Sequence, residues 1–95
     1  MTLVLSIPGV VDSQDLHMLH PEPDGVTFAM SFDYNDVATK LMSALSSGER
    51  IELVVLSTDN GIIALDDVYI ASAQFAGGDS PEFHCSMQAN AVRWV

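Results

Sequence analysis

Basic residues are scarce in this sequence: three Lys and Arg stand against thirteen Asp and Glu, a formal charge of -10 over 95 residues. A surface of that sign repels nucleic-acid phosphates and anionic lipid headgroups, so neither nucleic acid nor a membrane is expected as a partner. Cysteine occurs once, at Cys85, which excludes an intramolecular disulfide and suits a reducing cytoplasm. No apolar run approaches the ~18 residues that a membrane-spanning helix needs, which points to a soluble protein. The apolar start, MTLVLSIPGVVDSQ, has no basic flank before it and is cut by Pro8-Gly9, so it reads as a first strand rather than a signal peptide. Also missing are a Gly-rich phosphate loop, a nucleophile triad pattern and a paired zinc motif. What the chain does have is apolar content. Hydrophobic residues make up 48%, too many for disorder, and the length is that of one domain spanning 1–95.

The stretch from Val26 to Leu56 organises the rest and reads as strand, helix, strand. Val26, Phe28, Met30 and Phe32 alternate with polar or small residues. Asn35 is a suitable N-cap, Asp36 puts a negative charge in the first turn, and Val37, Leu41 and Leu45 recur every four residues with Ala38, Met42 and Ala44 beside them. Gly48 stands where a left-handed terminating residue is wanted, and Arg50 suits the carbonyl end of the dipole. These signals predict one α-helix at about 36–47, with Leu41 and Leu45 on its buried stripe. Ile51 to Leu56 is nearly continuous apolar, as in a strand buried on both faces.

Thr2 to Ile7 reads as a strand ended by Pro8-Gly9. Val11 to Gly25 reads as mostly loop, rich in Pro, Gly, Asp and His, with room for a short strand around Leu16, Met18 and Leu19. Asn60-Gly61 between two apolar runs signals a hairpin whose two central residues take positive φ, pairing 51–57 with 62–66. Asp66-Asp67 reads as a solvated break before an alternating strand, 68–76, with Tyr69, Ala71, Ala73 and Phe75 on one face. Gly77 to Pro81 reads as a flexible turn. The last strand, Phe83 to Trp94, places Phe83, Cys85, Met87, Ala89 and Ala91 on one side. The expected fold is mainly β, a barrel or sandwich of about six or more antiparallel strands with one helix, since closure or pairing with a neighbour would relieve its open edges.

Residues with chemical potential have plainer readings. His17-x-x-His20, with Asp12, Asp15 and Glu22 nearby, offers imidazole and carboxylate ligands, but without a third spaced ligand it reads as solvated loop. His84-Cys85 has the residue types of a base and a nucleophile, yet strand neighbours point to opposite faces, which makes Cys85 a small core residue. Asp59-Asn60-Gly61 is too short for a calcium loop. No catalytic, cofactor-binding or metal residue is assigned, no cofactor is expected, and the chain does not read as an enzyme.

The segment FDYNDVATKLMSALSSGERIELVVL resembles the haemolysin-coregulated protein (Hcp) family, the tube protein of type VI secretion, in its order of strand, helix, small-residue-Gly turn and apolar strand. LSIPGVVDSQ is similar to the family's opening strand and turn. ALDDVYIASAQFAGG and FHCSMQANAVRWV are similar to its late strands and terminal Trp. Phage tail-tube proteins share the architecture. The resemblance implies a non-enzymatic subunit that forms hexameric rings, meets spike, sheath or effector proteins, and leaves the cytoplasm through a contractile machine without a signal peptide. Members of the family are longer, and the shortfall is expected between Ser13 and Val26, where the family has further strands and a loop that joins subunits. The charge alone supports a second class, an acidic inhibitor or immunity-type protein that occupies a basic site on a toxin or nucleic-acid enzyme.

Overall fold

A computed structural model describes residues 3–76 and 81–95. Seven strands and one helix follow the order β1 (Val4–Ile7), β2 (Val11–Asp15), β3 (Met18–Pro21), β4 (Thr27–Asp33), α1 (Asp36–Ser47), β5 (Ile51–Thr58), β6 (Gly61–Ala76) and β7 (Glu82–Trp94). The strands form one antiparallel sheet in the order β2-β1-β5-β6-β7-β4-β3, curled into a half-barrel. The mainly β class with one helix is therefore as the sequence indicates. The interior is filled by alternate residues of the central strands: Phe28, Met30 and Phe32 of β4, Val54 and Leu56 of β5, and Phe83, Cys85, Met87 and Ala89 of β7. Phe32 and Phe83, paired across β4 and β7, bring their rings within 5.3 Å.

Helix α1 begins and ends where its residues require. The Asn35 side chain accepts from the Val37 N–H, and Gly48, at φ 70°, closes the last turn by donating to the Ala44 and Leu45 carbonyls. The helix lies against β6 and buries Ala38, Leu41 and Ala44. Leu45 does not share the stripe: it is 37% exposed while Leu41 is 1% exposed. On a 3.6-residue turn the buried line drifts, so 38, 41 and 44 contact the sheet and the residue one past 44 rolls out toward solvent. Val54 and Leu56 of β5 are buried, whereas Leu53 and Val55 on the opposite face are half-buried. That face is partly covered, which falls short of the two-sided burial its composition suggests.

Three local expectations change. The β5–β6 turn pairs Thr58 with Gly61, so its central residues are Asp59 and Asn60, and neither has positive φ; Gly61 alone takes φ 137°. The Thr58 hydroxyl accepts from the Asn60 N–H and fixes the turn from outside, removing the need for left-handed central residues. Asp66-Asp67 does not break the chain into two strands, because β6 runs through it. Asp67 instead adopts φ 54° and reverses the alternation: Ile63 and Leu65 point inward before it, Val68 and Ile70 after it. A register shift between Ile70 and Ser72 reverses the facing again, so Ala73 packs on the core and the expected grouping of Tyr69 and Ala71 with Ala73 is not kept. Arg50 supports the Asp67 reversal, with Nη1 at 3.4 Å from the Asp67 carboxylate and its guanidinium 5.1 Å above the Tyr69 ring.

The largest departure lies between 11 and 25. It reads as mostly loop with room for one short strand around Leu16, Met18 and Leu19; β3 lies there, but β2 is a second strand that the residues do not announce. Val11–Asp15 carries only one apolar residue, so no alternation marks it; its pairing with β1 comes from backbone hydrogen bonds. Of the turn expected at Gly77 to Pro81, all but Pro81 falls outside the described residues, as do the residues before Leu3.

Candidate assembly surface

The edges of the sheet are β2 and β3, and both belong to a single stretch, 11–21. The chain leaves β1's side at Asp15 and joins β4's side at Met18, crossing between the two ends of the sheet in two residues. Leu16 donates its N–H to the Leu3 carbonyl (2.9 Å) and His17 to the Ser31 carbonyl (2.8 Å), so each residue of the crossing is bonded to a different end. Leu16 also turns its side chain into the core. This seam is the only covalent bridge that directly joins the two edge strands. Edge strands offer unpaired backbone groups to a neighbour, and these two carry Asp12, Asp15 and Pro21, residue types that restrain such pairing.

Around the seam, His17 reaches Glu82 with Nδ1 at 2.8 Å and Asp33 with Nε2 at 3.3 Å, while His84 Nε2 meets the other Glu82 oxygen at 2.8 Å. The carboxylates raise the His17 pKa above its ordinary value, chiefly through the hydrogen bond with Glu82, and the same contact lowers that of Glu82. The sequence could not join residues 65 positions apart. His17 is thus directed away from a ligand set with His20. Among the described residues no group of three or more His, Cys, Asp and Glu could hold a metal ion. His84 and Cys85 lie on opposite faces of β7 as expected: His84 is at the surface, and burial pushes the Cys85 thiol up to about 12. No helix among the described residues is long and apolar enough to cross a membrane.

The basic side chains are all committed within the chain. Lys40 Nζ donates to the Val10 carbonyl, Arg50 pairs with Asp67, and Arg93 grips Asp66 with Nε and Nη2 at 2.8 and 2.9 Å. That pair holds the Arg93 pKa up and the Asp66 pKa down. The surface therefore presents its excess acid without mobile cations to offset it. Exposed apolar groups collect at the two ends of β7. Tyr34 and Phe75 stack edge to face at 5.1 Å beside Met42 and Pro81 near the Glu82 end, and Trp94, paired with Ile63 and 71% exposed, lies at the other.

Compared by sequence, the chain matches no family model and no curated protein. Compared by structure, it superposes along its full length on known proteins. Hcp2 from Salmonella typhimurium aligns with a TM-score of 0.88 at 13% identity, covering 99% of this chain and 85% of that one. A type VI secretion system effector from Yersinia pestis gives 0.82 at 14% identity over 95% of this chain and 84% of its own. The secreted protein Hcp3 from Pseudomonas aeruginosa gives 0.80 at 14% identity over 99% and 89%. The half-barrel with its one helix is the Hcp fold of type VI secretion proteins, reached here by a sequence that shares only about one residue in seven with them.

Proposed function

We propose that this chain is a non-enzymatic, tube-type structural subunit whose half-barrels associate through strand edges into a closed ring. The observation that carries this reading is the superposition of nearly the whole chain on Hcp proteins, with TM-scores up to 0.88. The free edges of β2 and β3 support it, because a heterologous contact at an edge, repeated by rotation, closes on itself. The apolar groups at opposite ends of β7 supply surfaces through which rings would stack into a conduit. By resemblance the ring is a hexamer, its further partners are spike, sheath or effector proteins, and it leaves the cytoplasm through the machine that it helps to build. The stretch between Ser13 and Val26, expected to be shortened, still holds the end of β2 and the whole of β3.

Native mass spectrometry tests the reading by counting subunits. A hexamer supports it. A monomer that instead forms a tight one-to-one complex with a basic nuclease or toxin would move the function to the acidic-inhibitor class, for which the charge of -10 is the motive.

A further inference from the structure

His17 stands at the seam, where the two edge strands meet, and its ring faces three elements. Asp33 ends β4, Glu82 and His84 begin β7, and Asp15 lies just before it on β2 in the same surface depression. The two contacts of its ring, Nδ1 to Glu82 and Nε2 to Asp33, are both to carboxylates. A carboxylate only accepts, and a neutral imidazole carries a single N–H. Either neutral tautomer therefore leaves one ring nitrogen turning a lone pair toward a carboxylate oxygen. The imidazolium alone donates to both. His84 makes a single contact of this kind, from Nε2 to the other oxygen of Glu82.

We propose that His17 is a proton-operated latch on the barrel seam: its imidazolium ties the crossing between β2 and β3 to β4 and β7, and loss of the proton frees the crossing from one of them. The latch is a property of the fold and holds whether or not the chain forms rings. His17 has a folded pKa raised above 6.5, so its contribution is complete below about pH 6.5 and is lost as pH rises through the folded value. Glu82 has a folded pKa lowered below 4.5, so its contribution is present above that value and is lost as pH falls through the folded one. The seam is held best between these two values.

The test uses the full chain and follows two signals from about pH 5 to about pH 8, the range in which histidine titrates. Nitrogen-15 NMR of the imidazoles is expected to show His17 titrating above its ordinary value, with both ring nitrogens protonated on the acid side. Amide exchange, corrected for its intrinsic pH dependence, is expected to show opening at Leu16 and His17 rising several-fold across that titration, while amides of β5 and β6 keep their protection. In His17→Gln the seam opening should become independent of pH. If that variant does not fold, Asp33→Asn serves instead and should bring the His17 titration back toward the ordinary value. His17 titrating at or below its ordinary value, seam opening that ignores pH in the parent, or an equal change in β5 and β6 would each overturn the latch.

Discussion

The helix with its flanking strands and the seam at 11–21 are held in place by different forces. Between Thr27 and Thr58 the chain carries its own instructions: alternating Phe28, Met30 and Phe32, a capped helix and an apolar β5, each burying side chains in a shared core. Between Val11 and Pro21 only Val11 and Leu16 are buried, and the strands exist because β1 and β4 offer them backbone partners. An element formed in the first way is stabilised by apolar area removed from water, whereas one formed in the second depends on the sheet already being present. The seam should accordingly be the first part of the described sheet to open.

That contrast can be tested from the larger effects downward. Cys85 faces the well-filled interior, and a thiol pushed from 9.0 to about 12 holds roughly a thousandfold less thiolate at neutral pH, so alkylation should be very slow in the folded chain and fast in denaturant. Rapid labelling of the native protein would mean that the interior is open. Leu41→Ala, measured by urea unfolding, should cost ~2 to 5 kcal/mol through lost transfer energy and the cavity left behind, and Leu45→Ala should stay within ~0.5 kcal/mol. Equal costs at the two positions would contradict the way the helix is turned. Leu16→Ala should cost less than Leu41→Ala, at about 2 kcal/mol, because the seam can relax around the gap. Its signature should be selective: amides of β2 and β3 should lose protection before those of β5 to β7. A uniform loss would show that the seam and the core unfold as one unit.

The same contrast decides how much could be read from the residues. Side-chain periodicity and caps are local, so the helix ends at Asn35 and Gly48, the strands around them and the inward face of Phe83, Cys85, Met87 and Ala89 were legible, although that face does not continue to Ala91, which is exposed. Leu45 was misplaced because a repeat of four overshoots the true turn. Asp67 looked like a break, but the residue that reverses a strand's facing and the residue that ends a strand have the same composition; the support from Arg50 and Tyr69 comes only from the fold. β2 gave no signal, since VDSQD has no alternating apolar face to display. The seam cluster was out of reach for another reason: His17, Asp33, Glu82 and His84 come from three separate elements, and only the order of strands makes them neighbours.

The acidic residues of β2 and the unpaired backbone groups of both edge strands act in opposition, and that opposition fixes the sign of the most direct test. Each chain carries -10, so two copies brought edge to edge repel unless salt screens them. Sedimentation velocity over a range of protein concentrations, at low and at raised salt, should show a monomer giving way to a single ring-sized species, with the transition moving to lower protein concentration as salt increases. A monomer at every protein and salt concentration would contradict the account and leave the Hcp fold put to another use.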